Sequence, residues 1–419
     1  MPCFAGPEIP GAKQEKPIAL VNGVIHTVSG ETIERETLLF EKGKIKAIGK
    51  EVKLPAGAEV IDLEGKHVYP GLFDAYTDLG LVEINSVRAT VDSRETGEIN
   101  PNVKAETAVN PDSEIIPTTR SNGVLLGLVA PRGGMLSGRS AVIQLDGWTW
   151  EDMTLKSAVA LHVQWPKLVD WADPDEFGHE PSKLDESPLK PLEEAFAMAR
   201  AYQLSREAKP QEQAVDARWE AMLPVLAGQM PIVVHANEIQ QIQTAVAFAH
   251  RHKLKLIIFG GYDAPRAGEL LKQHSVPVIV EGIYRLPWRK ADPYDSSYTV
   301  PARLHAAGVK FCITSANRFG ASGARNLPYH AATAAAYGLP PEEALKSITL
   351  YPAQILGTAN RVGSLEAGKD ATLFICDGDP LETATHVEAA YVQGREVDLG
   401  DRHKRLNAKY RERLKRLGK

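Results

Sequence analysis

PIVVHANEIQQIQTAVAFAHRHKLKLIIFGG, residues 231–261, holds a strand, a helix and a second strand in one line. Its ends, PIVVHAN and LKLIIFGG, are short apolar runs rich in β-branched residues, and between them Ile242, Val246 and Ala249 recur on one helical face. A strand that returns through a helix pairs in parallel with its predecessor. Runs of the same kind stand on both sides: VYPGLFDAY, GVLLGLVA, SAVIQL and SAVALHVQW before it, VPVIVEGI and VKFCITSA after it. That makes eight strands. From the fourth onward helical patterns separate them, with Leu192, Ala195, Phe196 and Ala199 on one face, then Val215, Trp219, Met222 and Leu226. Eight strands alternating with helices predict an α/β fold, a (β/α)8 TIM-like barrel over residues 70–357.

Both ends of the chain read differently. IALVNGVIHTV, TLLFEKGKIKAIG and EVIDLEGKHVYP alternate like half-buried strands, with turn signals at Asn22-Gly23 and Lys42-Gly43. GSLEAGKDATLFICDGDP and VEAAYVQGREV repeat that style, with turns at Gly368 and Gly394. Neither set is long enough to bury a core alone, so residues 18–69 and 358–400 are expected to build one small β-sandwich together. Residues 1–17 read as a flexible leader. Residues 401–419 read as a basic amphipathic helix, in which Leu406, Tyr410, Leu414 and Leu417 form a stripe expected to dock on the barrel.

The net charge of −5, with both signs mixed along the chain, gives the body no nucleic-acid face. Cys3, Cys312 and Cys376 stand far apart without metal-type spacing and read as free thiols in a reducing compartment. No run of 18 apolar residues is present, so no membrane span is expected and the default address is cytoplasmic. The Pro/Gly-rich opening looks like a tail left after something upstream, and a longer precursor would move that address outside the cytoplasm. The stretch from residue 83 to 120 is too long for an ordinary connection and is expected to be a structured loop over the strand ends. PRGGMLSGRS, residues 131–140, reads as a glycine-rich turn, since it lacks the ending of a phosphate loop.

ALVNGVIHTV, GKHVYPGLFDAYTDLG and above all SITLYPAQILGTANRVGSLEAGKDATLFICDGDPL resemble the amidohydrolase superfamily, specifically its imidazolonepropionase-like branch. The resemblance spans residues 18–398 and implies a metal-dependent (β/α)8 barrel with a sandwich built from both ends. It further implies a metal at the barrel mouth that turns a bound water into a hydroxide for attack on a carbon–nitrogen bond. The family's ligands are a His-x-His on the first strand, a lysine or glutamate on the fourth, histidines on the fifth and sixth, and an aspartate on the eighth. In this chain the first pair falls on Tyr76 and Asp78, the fourth strand offers Lys167 only after its end, and the sixth ends in Gly260 and Gly261. The eighth reads Ile313, Thr314, Ser315, Ala316, Asn317 without an aspartate, so His235 is the one position that matches.

Period-2 alternation places Asp74, Tyr76, Asp78, His162, Gln164, His235, Asn237 and Glu281 inside the barrel. The expected catalytic set is His235, Asp78, Glu281 and Tyr76, with a carboxylate beside His235 as general base and Tyr76 or Arg285 stabilising negative charge. The expected substrate contacts are His162, Gln164, Asn237, Arg285, Asn317 and Arg325. His330, on the alanine-rich helix after the eighth strand, reads either as an element of that loop or as a surface residue. No cofactor is expected, or at most one zinc or iron ion on His235, Asp78 and Glu281. Partner expectations are a small molecule in the barrel mouth, no nucleic acid, and a second copy or a related subunit. Two readings stay open: a hydrolase of non-peptide or cyclic amide carbon–nitrogen bonds with a degenerate metal centre, or a pseudoenzyme acting as a binding or subunit scaffold.

Overall fold

The computed structural model describes residues 9–168, 184–208, 214–316 and 320–418. Two eight-stranded sheets organise them. The first takes β1 (Ile18–His26), β2 (Thr32–Glu41), β3 (Lys44–Gly49), β4 (Glu59–Asp62) and β5 (His67–Pro70) from the start of the chain. The second is formed by β6 (Leu72–Thr77), β7 (Val124–Val129), β8 (Leu136–Gln144), β9 (Thr154–Gln164), β10 (Ile232–Ala236), β11 (Leu256–Gly260), β12 (Val278–Val280) and β13 (Phe311–Ile313). The chain then returns to the first sheet through β14 (Leu373–Cys376), β15 (Val387–Val392) and β16 (Arg395–Glu396).

In the first sheet the order β16-β15-β14-β5-β1-β2-β3 joins the two ends at the antiparallel pair β5–β14, with Val68 opposite Ile375. Leu20, Leu38, Phe40, Val68, Leu373 and Tyr391 form its core. Lys42-Gly43 is a tight hairpin turn with both residues at positive φ (52° and 75°), as the sequence suggested. Asn22-Gly23 is a correction. It is a bulge inside β1, with Asn22 at φ 59° and the pairing to β2 slipping there. A Cβ at Gly23 would meet Leu63 Cδ1 at 2.3 Å and Lys66 O at 3.0 Å, so a side chain there would have to displace its neighbours.

The second sheet curls into the expected barrel, in sequential strand order from β6 to β13. Its neighbours are parallel, with one exception: β8 is antiparallel to both β7 and β9. Residues 130–135 are too few for the dozen or more that a parallel crossover needs, so the chain turns back as a hairpin. Gly133 and Gly134, at φ 83° and 67°, make that turn at the barrel mouth. Asp74 closes the seam between β13 and β6. It accepts hydrogen bonds from Thr314 Oγ1, Ser315 N at 3.2 Å and Ser315 Oγ, and Thr314 Oγ1 also bonds Tyr76 O at 2.7 Å.

Leu126, Leu128, Val142, Ala160, Val233, Ile257, Ile279 and Cys312 fill the barrel below the mouth. Outside it, helices pack on the strands; Phe248 on helix Ile239–His252 meets Phe196 and Trp165 edge-on at 5.2 and 5.5 Å. Truncating such a ring costs about 3–5 kcal/mol. Val215 precedes the helix Ala217–Leu226 and is exposed, so the buried face there is Ala221, Met222 and Val225. The long loop is structured as expected. Its residues Arg94, Ile99 and Lys104 bridge to Arg132, Leu136 and Arg139, which lays it along the β7–β8 hairpin and the start of β8.

The helix Arg402–Arg416 forms, but its stripe does not dock. Leu406, Tyr410, Leu414 and Leu417 are 38%, 52%, 48% and 59% exposed, and none of its residues is buried. Cys312 and Cys376 are free and buried as read, and Cys3 lies outside the described residues. Among the described residues no helix is long and apolar enough to cross a membrane.

Candidate functional site at the barrel mouth

The C-terminal ends of β6, β9, β10, β11 and β12 converge on a cavity of about 350 Å³. Four residues expected from alternation, Tyr76, Gln164, His235 and Glu281, line it together, over Phe259. Two clefts of about 810 Å³ lie elsewhere, one at the N-terminal ends of β10–β12 and one between sheet and barrel. The mouth is where alternate strand residues from five strands meet, and barrel chemistry is built there.

His235 Nε2 and His162 Nδ1 are hydrogen-bonded at 3.1 Å, one donating and the other accepting. This corrects the expected carboxylate partner for His235. Burial brings His162 down to about 3, and burial together with His162 and Arg132 holds His235 well below the usual histidine value. Both rings are therefore neutral at pH 7. His162 Nε2 is buried with no partner among the described residues. Tyr76 packs against Phe259 and His235 at 4.1 and 5.4 Å between ring centroids. Burial pushes its phenol up to about 12, so it stays protonated.

Each carboxylate at the mouth faces an arginine. Asp78 Oδ2 lies 3.3 Å from Arg132 Nη2, and Glu281 Oε2 lies 2.7 Å from Arg285 Nη1. Arg132 also sits over the Tyr76 ring, 5.5 Å from its centroid. Arg285 lies beside the stacked rings of Tyr262 and Trp288, 5.3 and 5.7 Å from their centroids. At the end of β11, Gly260 has φ 103°, and a Cβ there would meet the Asn237 amide at 2.8 Å. Asn237 itself accepts from Tyr262 N at 3.1 Å and is not among the residues that line the cavity. Among the described residues, no three His, Cys, Asp or Glu side chains gather as a metal ion requires.

The remaining expectations divide. Arg325 is not at the mouth: its carbonyl accepts from Asn122 Nδ2 at 2.6 Å, just before the N-terminal end of β7. His330 is not at the surface. It is 1% exposed, and its Nδ1 accepts from Ile283 N at 3.2 Å. Asn317 lies outside the described residues.

Two charged cavity residues were not expected from the sequence, Arg94 from the long loop and Arg132 from the β7–β8 hairpin. Loops carry no periodicity to flag a side chain. The available signal was the glycine pair beside Arg132: a Cβ on Gly133 would press on Arg94 Cγ at 3.3 Å, and one on Gly134 would meet Gly97 O at 2.8 Å. The glycines let the two segments lie against each other. Arg94 has no ion-pair partner among the described residues.

Residues 220–398 match the model of the amidohydrolase family. The chain is 22% identical over 401 residues to the amidohydrolase tasK of Hapsidospora irregularis; this covers 85% of this chain but 39% of that much longer protein. It is 26% identical over 369 residues to the imidazolonepropionase of Mesorhizobium japonicum, covering 82% and 87% of the two chains. The crystal structure of an amidohydrolase from Thermotoga maritima superposes with a TM-score of 0.81 at 26% identity, over 91% of this chain and 99% of that one. Motif, relatives and architecture agree in supporting an amidohydrolase-superfamily, imidazolonepropionase-like assignment for this chain.

Proposed function

We propose that the barrel mouth binds a small monoanionic molecule on a degenerate metal centre, and that the chain does not run the metal-hydroxide hydrolysis of carbon–nitrogen bonds its family implies. The observation that carries this reading is that, among the described residues, the three strand-end side chains with metal-ligating chemistry each already face a partner. His235 is bonded to His162, Asp78 faces Arg132, and Glu281 is bonded to Arg285. A divalent ion would have to displace two arginines and break the histidine pair, so the residues present do not fit it.

Charge supports the ligand class. Among the described residues Arg94, Arg132 and Arg285 face Asp78 and Glu281, which leaves one cation in excess there beside two neutral histidines and a neutral phenol. One carboxylate would balance it, and arginine matches that group in a bidentate way. Gln164 offers an amide and Phe259 an apolar wall to the rest of the molecule.

A second reading, metal-free hydrolysis, is favoured by Glu281 and Tyr76 facing one cavity, as a base and a proton donor. One experiment separates these. The protein, grown with zinc, iron and manganese supplied, is analysed for metals and then titrated with small carboxylic acids and their amides. The proposal expects no metal above background, binding of acids over amides, and no turnover. Near one metal per chain, lost in His235→Ala or Asp78→Ala, overturns it in favour of a remodelled hydrolase. Turnover without metal that Glu281→Gln abolishes favours the second reading.

A further inference from the structure

The helix Arg402–Arg416 is tethered by one side and offers the other. Its N-cap Asp401 is buried and accepts from Lys404 N at 2.8 Å, and Arg405 Nη2 reaches Glu114 Oε2 at 3.0 Å. At about 100° per residue, Leu406, Leu414 and Leu417 fall within about 40° of Tyr410, whereas Arg405 points to the opposite side. The face that holds the body is therefore polar, and the apolar stripe is turned away from it. Cations line both edges of the stripe: Arg402, Lys409, Arg413 and Arg416 on one, Lys404 and Arg411 on the other. The lone acid, Glu412, lies on the far side with Arg405.

Charge is also segregated along the chain. Residues 402–419 carry nine Lys and Arg against one Glu in a chain of net charge −5, so the remainder stands at −13. Like-charge repulsion argues against pairing with the same helix of a second copy. A nucleic acid would use the cations and leave the stripe in water. A lipid surface uses both, since the stripe enters the acyl boundary while flanking Lys and Arg stems extend to anionic headgroups.

We propose that this helix is a peripheral anchor that seats the protein on an anionic lipid bilayer. The full chain is sedimented with vesicles of phosphatidylcholine, and with vesicles that also contain phosphatidylserine. Binding is expected to the second kind alone and to weaken as salt is raised. Replacing Leu414 and Leu417 by Ser weakens it roughly tenfold or more. Lys409→Gln with Arg411→Gln and Arg413→Gln weakens it on the order of a hundredfold. These side chains are exposed, so an unchanged melting temperature certifies the fold of each variant.

A chain that stays in the supernatant with both vesicle types overturns the proposal. So does binding that the Leu414→Ser, Leu417→Ser variant leaves intact, because the stripe would then be idle. Retention of duplex DNA or RNA that depends on the cations and not on the leucines, without vesicle binding, reassigns the helix to nucleic acid.

Discussion

Asp74 and Asp78 leave the same strand four residues apart and meet opposite surroundings. Asp74 is fully buried, and both its oxygens are taken by Thr314 and Ser315. Asp78 is 3% exposed, yet it has one long contact, 3.3 Å to Arg132, and its Oδ1 has no partner among the described residues. Arg132 Nε beside it, Arg285 Nε beside Glu281 and His162 Nε2 beside His235 are orphaned in the same way. Buried polar groups are nearly always satisfied in a folded chain. A completed network reads as a structural seam, and a cluster of incomplete ones beside a cavity reads as a place where a ligand finishes the hydrogen bonding.

The largest effect tests the seam. Asp74→Ala strands the Thr314 and Ser315 donors where β6 meets β13, and unfolding in urea should show a loss of about 3–5 kcal/mol. A loss below about 1 kcal/mol would mean that the barrel closes without this carboxylate.

Burial raises Asp74 to about 6, and the hydrogen bonds from Ser315 and Thr314 recover only part of that. The native state then holds this proton where the unfolded chain, near 4, has lost it, so stability is greatest below about pH 4 and falls as pH rises through about 6. The full difference is about 3 kcal/mol. Denaturant melts from pH 4 to 7 should show this slope, and Asp74→Asn, which removes the titrating group and keeps the shape, should flatten it. An unchanged slope in the variant would assign it elsewhere.

At the mouth the expected change is in binding. Arg132→Ala removes the cation shared by Asp78 and the cavity. Affinity for small carboxylates should fall by roughly 2 kcal/mol, while affinity for the corresponding amides changes little. Equal losses for acids and amides would mean that Arg132 only shapes the loop.

The contrast also separates what the sequence carried from what it did not. Period-2 alternation on apolar runs was enough to place Tyr76, Gln164, His235 and Glu281 in one cavity, because a buried strand leaves each side chain two directions. Strand direction is not written in a run, which is why β8 read as parallel; the short link APRGGM, residues 130–135, held that information as a length. Arg94 and Arg132 come from segments whose contact depends on glycines at positive φ, a tertiary fact. In the helix Arg402–Arg416 the stripe was legible, and the face turned to the body was not, since that depends on tertiary contacts such as the Arg405–Glu114 pair.

The smallest expected effect is the sharpest test of the comparison. His235 is the one position that matches the ligand set implied by the family resemblance, and its Nε2 is bonded to His162. His235→Ala therefore removes a hydrogen-bonded neutral ring and no ligand. Stability should fall by about 1–2 kcal/mol, because His162 Nδ1 loses its partner at a site water can enter from the cavity. Metal content and carboxylate affinity, the latter held by the arginines, should stay within roughly a factor of three. If either collapses, His235 is working as a ligand, and the orphaned atoms around Asp78 belong to a metal site waiting to be filled.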